Sequence, residues 1–359
     1  MDIVPSASAH TFDTIVGQDL VKRFLLRAGA QGRLPQALLF CGPAGVGKRS
    51  LMYALAKHLV TREFEPDSDA ARRARGKVER GTHPDVLVVA PRSVSGQILT
   101  EQVEEMHDRA YYAPLESPIR VIAIAPVEAM NPSASNKVLK LLEEPPPALR
   151  ILLACEQIHR TLTTVRSRCA LLRCSPVEFA PLTDWLMAVA RCPRRRAETA
   201  ARLSGGRPGL ALDLVSGENE ERRRRICAEL DFFEQEGYPS IFRVGHNLLG
   251  VAGGAGESIS ALLYWFRDLL VAALAGTGTP SGEAEEGGVA ERTPAAESLL
   301  INRDLTEEVT RVASRYRVRG LARALEEILK RNNDGFRPFV DADLLLNVLL
   351  THVGIALKS

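Results

Sequence analysis

Short apolar runs alternate with longer stretches in which apolar residues recur at helical spacing. The runs are Ala37–Cys41, Val86–Val89, Arg120–Ala125 and Ile151–Cys155. Each is a nearly continuous aliphatic block, the pattern of a strand buried on both faces of a parallel sheet. Helical patterns lie between them. Arg49–Val60 is one. Asn136–Pro145 is another, with Val138, Leu139, Leu141 and Leu142 apolar and Lys140, Glu143 and Glu144 polar. Prolines 145–147 end that amphipathic helix. Strands alternating with helices predict a parallel sheet covered on both faces, ending near Ser175-Pro176. A polar stretch, Pro66–Arg80, precedes His83-Pro84-Asp85.

After Pro176 the strand-like runs stop. Leu182–Arg191 and Arg194–Leu203 read as short helices. Gly205-Gly206-Arg207-Pro208-Gly209 breaks the second, and Leu210–Val215 begins another. From about Gly217 the pattern is helical to the end, apart from Gly276–Ala296. That segment is rich in Gly, Ala, Glu, Pro and Thr and reads as a mobile loop. The expected division is an α/β domain over 1–176, a small helical domain over 177–216 and a helical domain over 217–359. The most apolar helical run, Ala261–Ala275, carries Arg267 and Asp268 in its middle. It is shorter than the ~20 residues that span a bilayer, so it reads as a buried helix, and no membrane association is expected.

Composition narrows the picture. A chain of 359 residues is expected to form more than one core. A net charge of +2 excludes a globally basic nucleic-acid coat. The basic runs are Arg194–Arg196 and Arg222–Arg225. Glu218, Glu220 and Glu221 precede Arg222, Arg224 and Arg225 by one helical turn, which favours a solvated helix face over a DNA contact. The six cysteines include no C-x-x-C pair, so neither a zinc site nor a disulfide framework is expected. A reduced, cytoplasmic setting follows. Met1–His10 lacks the basic start and apolar core of a signal peptide. The histidines show no metal-ligand spacing, and Trp185 and Trp265 read as core residues.

The chemistry concentrates at Gly42-Pro43-Ala44-Gly45-Val46-Gly47-Lys48, which fits the phosphate-binding loop G-x-x-x-x-G-K between a strand and a helix. Backbone N–H groups in such a loop cradle phosphates, and Lys48 adds a point charge. The next residue would normally be Ser or Thr, whose hydroxyl holds Mg²⁺. Here it is Arg49, a permanent cation with no acceptor atom. Acidic residues that complete a metal site should stand at the end of a later strand, but Ala125 and Pro126 occupy that place after Arg120–Ile124. Glu128 lies a few residues on and reads as a surface residue at a helix start. Two independent losses predict that the chain does not hydrolyse nucleotide. Binding of ATP or ADP without turnover stays open, and no metal site is predicted.

Several motifs occur in order: Phe12–Gln18, Leu34–Phe40, the loop at Gly42, His83–Asp85, Asn136–Pro145 and Thr164–Cys169. As an ordered set they resemble the clamp-loader branch of the AAA+ ATPases over roughly the first half of the chain. The resemblance implies a RecA-like α/β domain, a small helical lid and an all-α collar. It implies that Arg168, within Ser167-Arg168-Cys169 at a subunit interface, is an arginine finger acting on a neighbour's ATP. It also implies partners: gamma/tau- and delta-type subunits in a pentameric hetero-oligomer, a sliding clamp and primer-template DNA. The setting would be a bacterial replisome in the cytoplasm, within a DNA-directed DNA polymerase assembly. Many relatives carry four zinc-binding cysteines where Leu59–Gly81 has none, so no zinc is expected. Motor members carry a nucleotide-sensing Arg in the lid. Its aligned position here is Gly209, with Arg207 two residues away. The alternative reading is an active gamma/tau-like motor with unusual metal ligands.

Overall fold

The computed structural model describes residues 11–91, 97–215, 225, 228–229, 241–252, 255–276, 300–302, 305–334 and 342–358. The expected loop over Gly276–Ala296 lies, apart from Gly276 itself, outside the described residues. So do Met1–His10 and most of the Glu218–Arg225 stretch. The chain divides into two compact units, Met1–Val189 with Ser204–Ala211 and Ala190–Leu203 with Leu212–Ser359.

The first unit is built on a parallel sheet of β1 (Ala37–Cys41), β2 (Val86–Val89), β3 (Arg120–Ile124), β4 (Leu149–Cys155) and β5 (Ala170–Arg173). Its order is β2-β3-β4-β1-β5. The four strands expected from the apolar runs are all present. β5 is an addition to that expectation, because only Leu172 of its residues is buried. Alternation along β1 sends Leu38 and Phe40 to one face and Ala37, Leu39 and Cys41 to the other. Helices α1 (Asp19–Ala30) and α2 (Lys48–Val60) cover the first face through Leu25, Leu51, Leu55 and Leu59. α4 (Thr100–Ala110) and α5 (Pro132–Glu143) cover the second through Val103, Met106, Val138 and Leu141. Each such fully buried Leu or Val contributes about 1.5–3 kcal/mol relative to exposure.

The polar stretch before His83 contains a helix, α3 (Asp69–Glu79). Ser68 caps it by accepting from the Ala71 amide. It is pinned to α2 by a Lys57–Glu79 ion pair of 2.7 Å. Asn131 caps α5 in the same manner, at 2.8 Å from the Ala134 amide. α6 (Thr163–Arg166) is a single turn ahead of β5, and α7 (Phe179–Ala190) follows the sheet. Trp185 on α7 is half-buried, not core, because its indole donates to the Thr14 carbonyl at 3.2 Å.

The second unit takes in α8 (Arg194–Leu203), the end of α9 (Pro208–Val215), α10 (Ile241–Ala252), α11 (Ala255–Gly276), α12 (Thr306–Ala313), α13 (Val318–Asp334) and α14 (Ala342–Lys358). α13 packs on both α11 and α14. Trp265, Phe266, Leu269, Leu321, Ile328 and Leu350 form much of the core. Asp268, the acid in the apolar run, is fully buried. It accepts from the amides of Ile301 (3.0 Å) and Asn302 (2.7 Å) and from Asn302 Nδ2 (2.8 Å), and Arg267 completes its shell. A buried carboxylate is tolerable only with such partners.

Candidate nucleotide-binding and subunit-contact sites

The phosphate-binding loop leaves the C-terminal end of β1 and runs into α2. It is locked to both neighbouring strands: the Gly42 amide donates to Cys155 O and the Cys174 amide to Cys41 O. A Cβ on Gly42 would stand 2.2 Å from Cys174 O, so no other residue fits without displacing β5's exit. Gly47 takes φ 104° as the residue preceding α2. Gln18 straps the loop from outside. Its Nε2 donates to Ser175 O (2.6 Å) and Val46 O (3.3 Å), while its Oε1 accepts from the Ser175 amide (3.2 Å).

Lys48 opens α2 and is buried. Its ammonium donates to two carbonyls of its own loop, Gly42 O at 2.6 Å and Pro43 O at 2.9 Å. Burial lowers its pKa, and the charges of Glu156 and Glu128 partly offset that. Arg49 is exposed and borders a shallow apolar hollow with Met52, Tyr53, Val88 and Ala125. The position expected to hold a metal ligand therefore presents an alkyl stem and a cation beside an alanine. Mg²⁺ requires hard oxygen ligands, and this set does not supply them. Among the described residues no three of His, Cys, Asp or Glu are grouped to hold a metal ion.

Glu128 is not a free surface residue. It sits in a single 3₁₀ turn after β3, and its Oε1 accepts from the amides of Glu156 (2.7 Å) and Gln157 (3.0 Å) past the end of β4. The carboxylate ties the ends of two strands together. Gly209, the position aligned with the family's lid arginine, lies against the loop: its amide donates to Gly45 O at 2.8 Å. A Cβ on Gly209 would meet Gly45 Cα and O at 3.2 Å, so an arginine there would press on the loop. Arg207 turns back instead, its Nε donating to Ser204 O at 2.7 Å.

His83-Pro84-Asp85 proves to be a structural device. Asp85 is fully buried and accepts from the amides of Leu115 (2.8 Å), Glu116 (2.7 Å) and Ser117 (3.0 Å). Arg120 Nη2 pairs with it at 3.1 Å and also donates to the Ala113 carbonyl, while Nη1 donates to the carbonyls of Arg109 and Tyr112. The whole α4–β3 connection is thus stitched to the start of β2. Burial pushes the Asp85 carboxyl up, but the amides of Glu116 and Leu115 and the Arg120 pair outweigh it, and its pKa is lowered.

Ser167-Arg168-Cys169 joins α6 to β5. Arg168 is half-exposed, and its Nη1 donates to Thr164 O (3.0 Å) and Ser167 Oγ (3.2 Å). Its Nη2 pairs with Glu143 Oε1, at the end of α5, at 2.8 Å. Cys169 packs against the second face of the sheet, and burial pushes its thiol up to about 11. The strand register separates this motif from the loop. β5 pairs with β1 in parallel, Leu38 opposite Ala170 and Cys41 opposite Arg173. Cys169 therefore stands near the N-terminal end of β1 and the phosphate-binding loop at its C-terminal end, ~15 Å apart by strand rise.

Of the residues singled out in the sequence, Gly42, Gly45, Gly47, Lys48 and Arg49 form one cradle, and Ser167, Arg168 and Cys169 form a second cluster at the other end of the sheet. Gln18, Glu128 and Glu143 were within quoted motifs or beside them, but their roles depend on contacts far along the chain.

A parallel sheet ordered 2-3-4-1-5, with a phosphate-binding loop after its first strand, defines a RecA-like P-loop domain of the AAA+ kind. Residues 17–178 match the family described as DNA polymerase III, delta subunit. The chain is 29% identical over 246 residues to DNA polymerase III subunit delta' of Escherichia coli, covering 68% of this chain and 71% of that one. It is 32% identical over 200 residues to the Pseudomonas aeruginosa subunit delta', covering 55% and 61%. A crystal structure of a DNA polymerase III gamma subunit-related protein from Thermotoga maritima overlaps 93% of this chain and 97% of that one. The identity there is 17% and the TM-score 0.44. Over these stretches the chain is similar to the delta-prime subunits of bacterial DNA polymerase III.

Proposed function

We propose that this chain is a clamp-loader subunit of a replicative DNA polymerase that does not turn over ATP itself and lends Arg168 to a neighbouring motor subunit. The observation that carries this reading is the register of β5 on β1. It sets Arg168 and the chain's own phosphate-binding loop at opposite ends of the sheet, so an Arg168 that serves a nucleotide serves one on another subunit. Arginine fingers supplied in this way act by offsetting charge that develops on the transferred phosphoryl group.

The loop chemistry supports the other half of the reading. Arg49, Ala125 and Pro126 stand where a motor needs oxygen ligands. ATP or ADP retained at Lys48 would sit in the backbone cradle without a metal site to activate it. In this account the assembly is a hetero-oligomer with gamma/tau- and delta-type subunits, most simply pentameric. It opens a sliding clamp and closes it on primer-template DNA. The α/β domain, lid and collar divide near residues 176 and 216, and the helical collar joins the subunits. The protein works in the bacterial cytoplasm, and among the described residues no helix is long and apolar enough to cross a membrane.

The test of non-hydrolysis is steady-state phosphate release by the purified chain with Mg-ATP. The expected result is no turnover above buffer. Mg²⁺-dependent turnover that Lys48→Ala abolishes would overturn the proposal and favour the motor reading.

A further inference from the structure

The anchoring of Arg168 assigns a role to an acid outside the finger motif. Arg168 lies over the C-terminal turn of α6, where its cation faces the Thr164 carbonyl, a favourable place for positive charge. That contact and Ser167 Oγ hold one nitrogen, Nη1. The other terminal nitrogen is held from a different helix, by Glu143 at the last residue of α5. Glu143 is half-exposed, so it is not a core residue whose loss would unfold the domain. A guanidinium has five N–H donors in one plane. Anchors on two helices restrain that plane and leave further N–H donors, Nε–H among them, without a hydrogen-bond partner among the described residues.

We infer that Glu143 is a positioning residue for the arginine finger, holding the Arg168 guanidinium from behind so that its remaining donors face the neighbouring subunit's nucleotide phosphates. This inference rests on the reading of Arg168 as a finger in trans. A flexible arginine must be ordered at the moment of reaction, whereas one already held in place is preorganised. Removing the anchor therefore lowers the rate of the chemical step and leaves nucleotide binding on the neighbour unchanged.

The experiment is steady-state ATP hydrolysis by the reconstituted clamp loader with clamp and primed DNA, comparing wild type, Glu143→Gln, Arg168→Ala and the double variant. Assembly is checked by gel filtration. Glu143→Gln is expected to lower kcat roughly two- to five-fold, the scale of an exposed ion pair. KM for ATP should not move, and Glu143→Asp should recover part of the loss. In the Arg168→Ala background the Glu143→Gln change should cost nothing further, since nothing is left to position. If Arg168→Ala slows the machine but Glu143→Gln leaves kcat unchanged or raises it, the inference is overturned and the finger reading survives. An additive loss in the double variant likewise overturns it. If Arg168→Ala is itself silent, the finger reading falls, and this inference with it.

Discussion

Replacing Asp85 by Asn probes the stitch that holds β2, β3 and the loop between α4 and β3. The substitution keeps the side chain's size but removes its charge. Arg120, only 4% exposed, then keeps a buried guanidinium without its counter-ion. The Asn also turns donor hydrogens toward one or more of the amides of Leu115, Glu116 and Ser117, which now donate to a carboxylate. Breaking one partner of a buried pair costs about 3–5 kcal/mol. With a urea slope of roughly 2–3 kcal/mol/M, the α/β unit should unfold about 1–2.5 M earlier. Circular dichroism across a urea series gives the midpoint, and hydrogen exchange at residues 115–124 locates the loss. The helical unit's exchange should stay as in wild type. The effect has a defined pH dependence. The Asp85 pKa is lowered in the fold, so its contribution is complete above the unfolded carboxyl value near about 3.9. It is lost as pH falls through the lower folded value, and the gap between wild type and Asp85→Asn should close there. A midpoint shift under about 0.3 M at neutral pH would refute the reasoning, because it would mean Arg120 and the loop amides find other partners at no cost.

Three other outcomes are expected. Gly42→Ala should destabilise the α/β unit by about 1–3 kcal/mol, since the new methyl meets Cys174 O, and a thermal melt would register it. Asp268→Ala should loosen the helical unit alone, by roughly 3 kcal/mol or more. It leaves the amides of Ile301 and Asn302 unpaired, and exchange at those residues reports it. Arg49→Thr should not restore ATP hydrolysis in the isolated chain, because Ala125 and Pro126 still offer no metal ligand; phosphate release above buffer would contradict that.

The sequence made the sheet legible where strands are buried on both faces. β1 to β4 stand out as aliphatic blocks, and β3 and β4 differ from the expected bounds only by a residue or two at one end. β5 was hidden because three of its four residues are not buried, so its apolar signal is diluted by Ala170 and Arg173. α3 was hidden for a related reason. Its buried residues are only Ala71, Ala74 and Val78, a narrow stripe in a charged segment, although the Ser68 cap and the three-to-four spacing were there to read. The cradle from Gly42 to Lys48 was readable because its chemistry is local. The roles of Asp85, Glu128 and Glu143 were not. Their partners lie at Arg120, Glu156 and Arg168, between 25 and 35 positions away, and only the strand order brings them together. The Asp268 contacts to 301–302 are of the same kind.

The central claim is that this chain completes a neighbour's ATP site. It is tested most directly by ATP hydrolysis of the reconstituted clamp loader with clamp and primed DNA, wild type against Arg168→Ala. The account predicts a drop of about 10³-fold at the site this chain borders, with the complex intact by gel filtration. An unchanged rate at that site would contradict it.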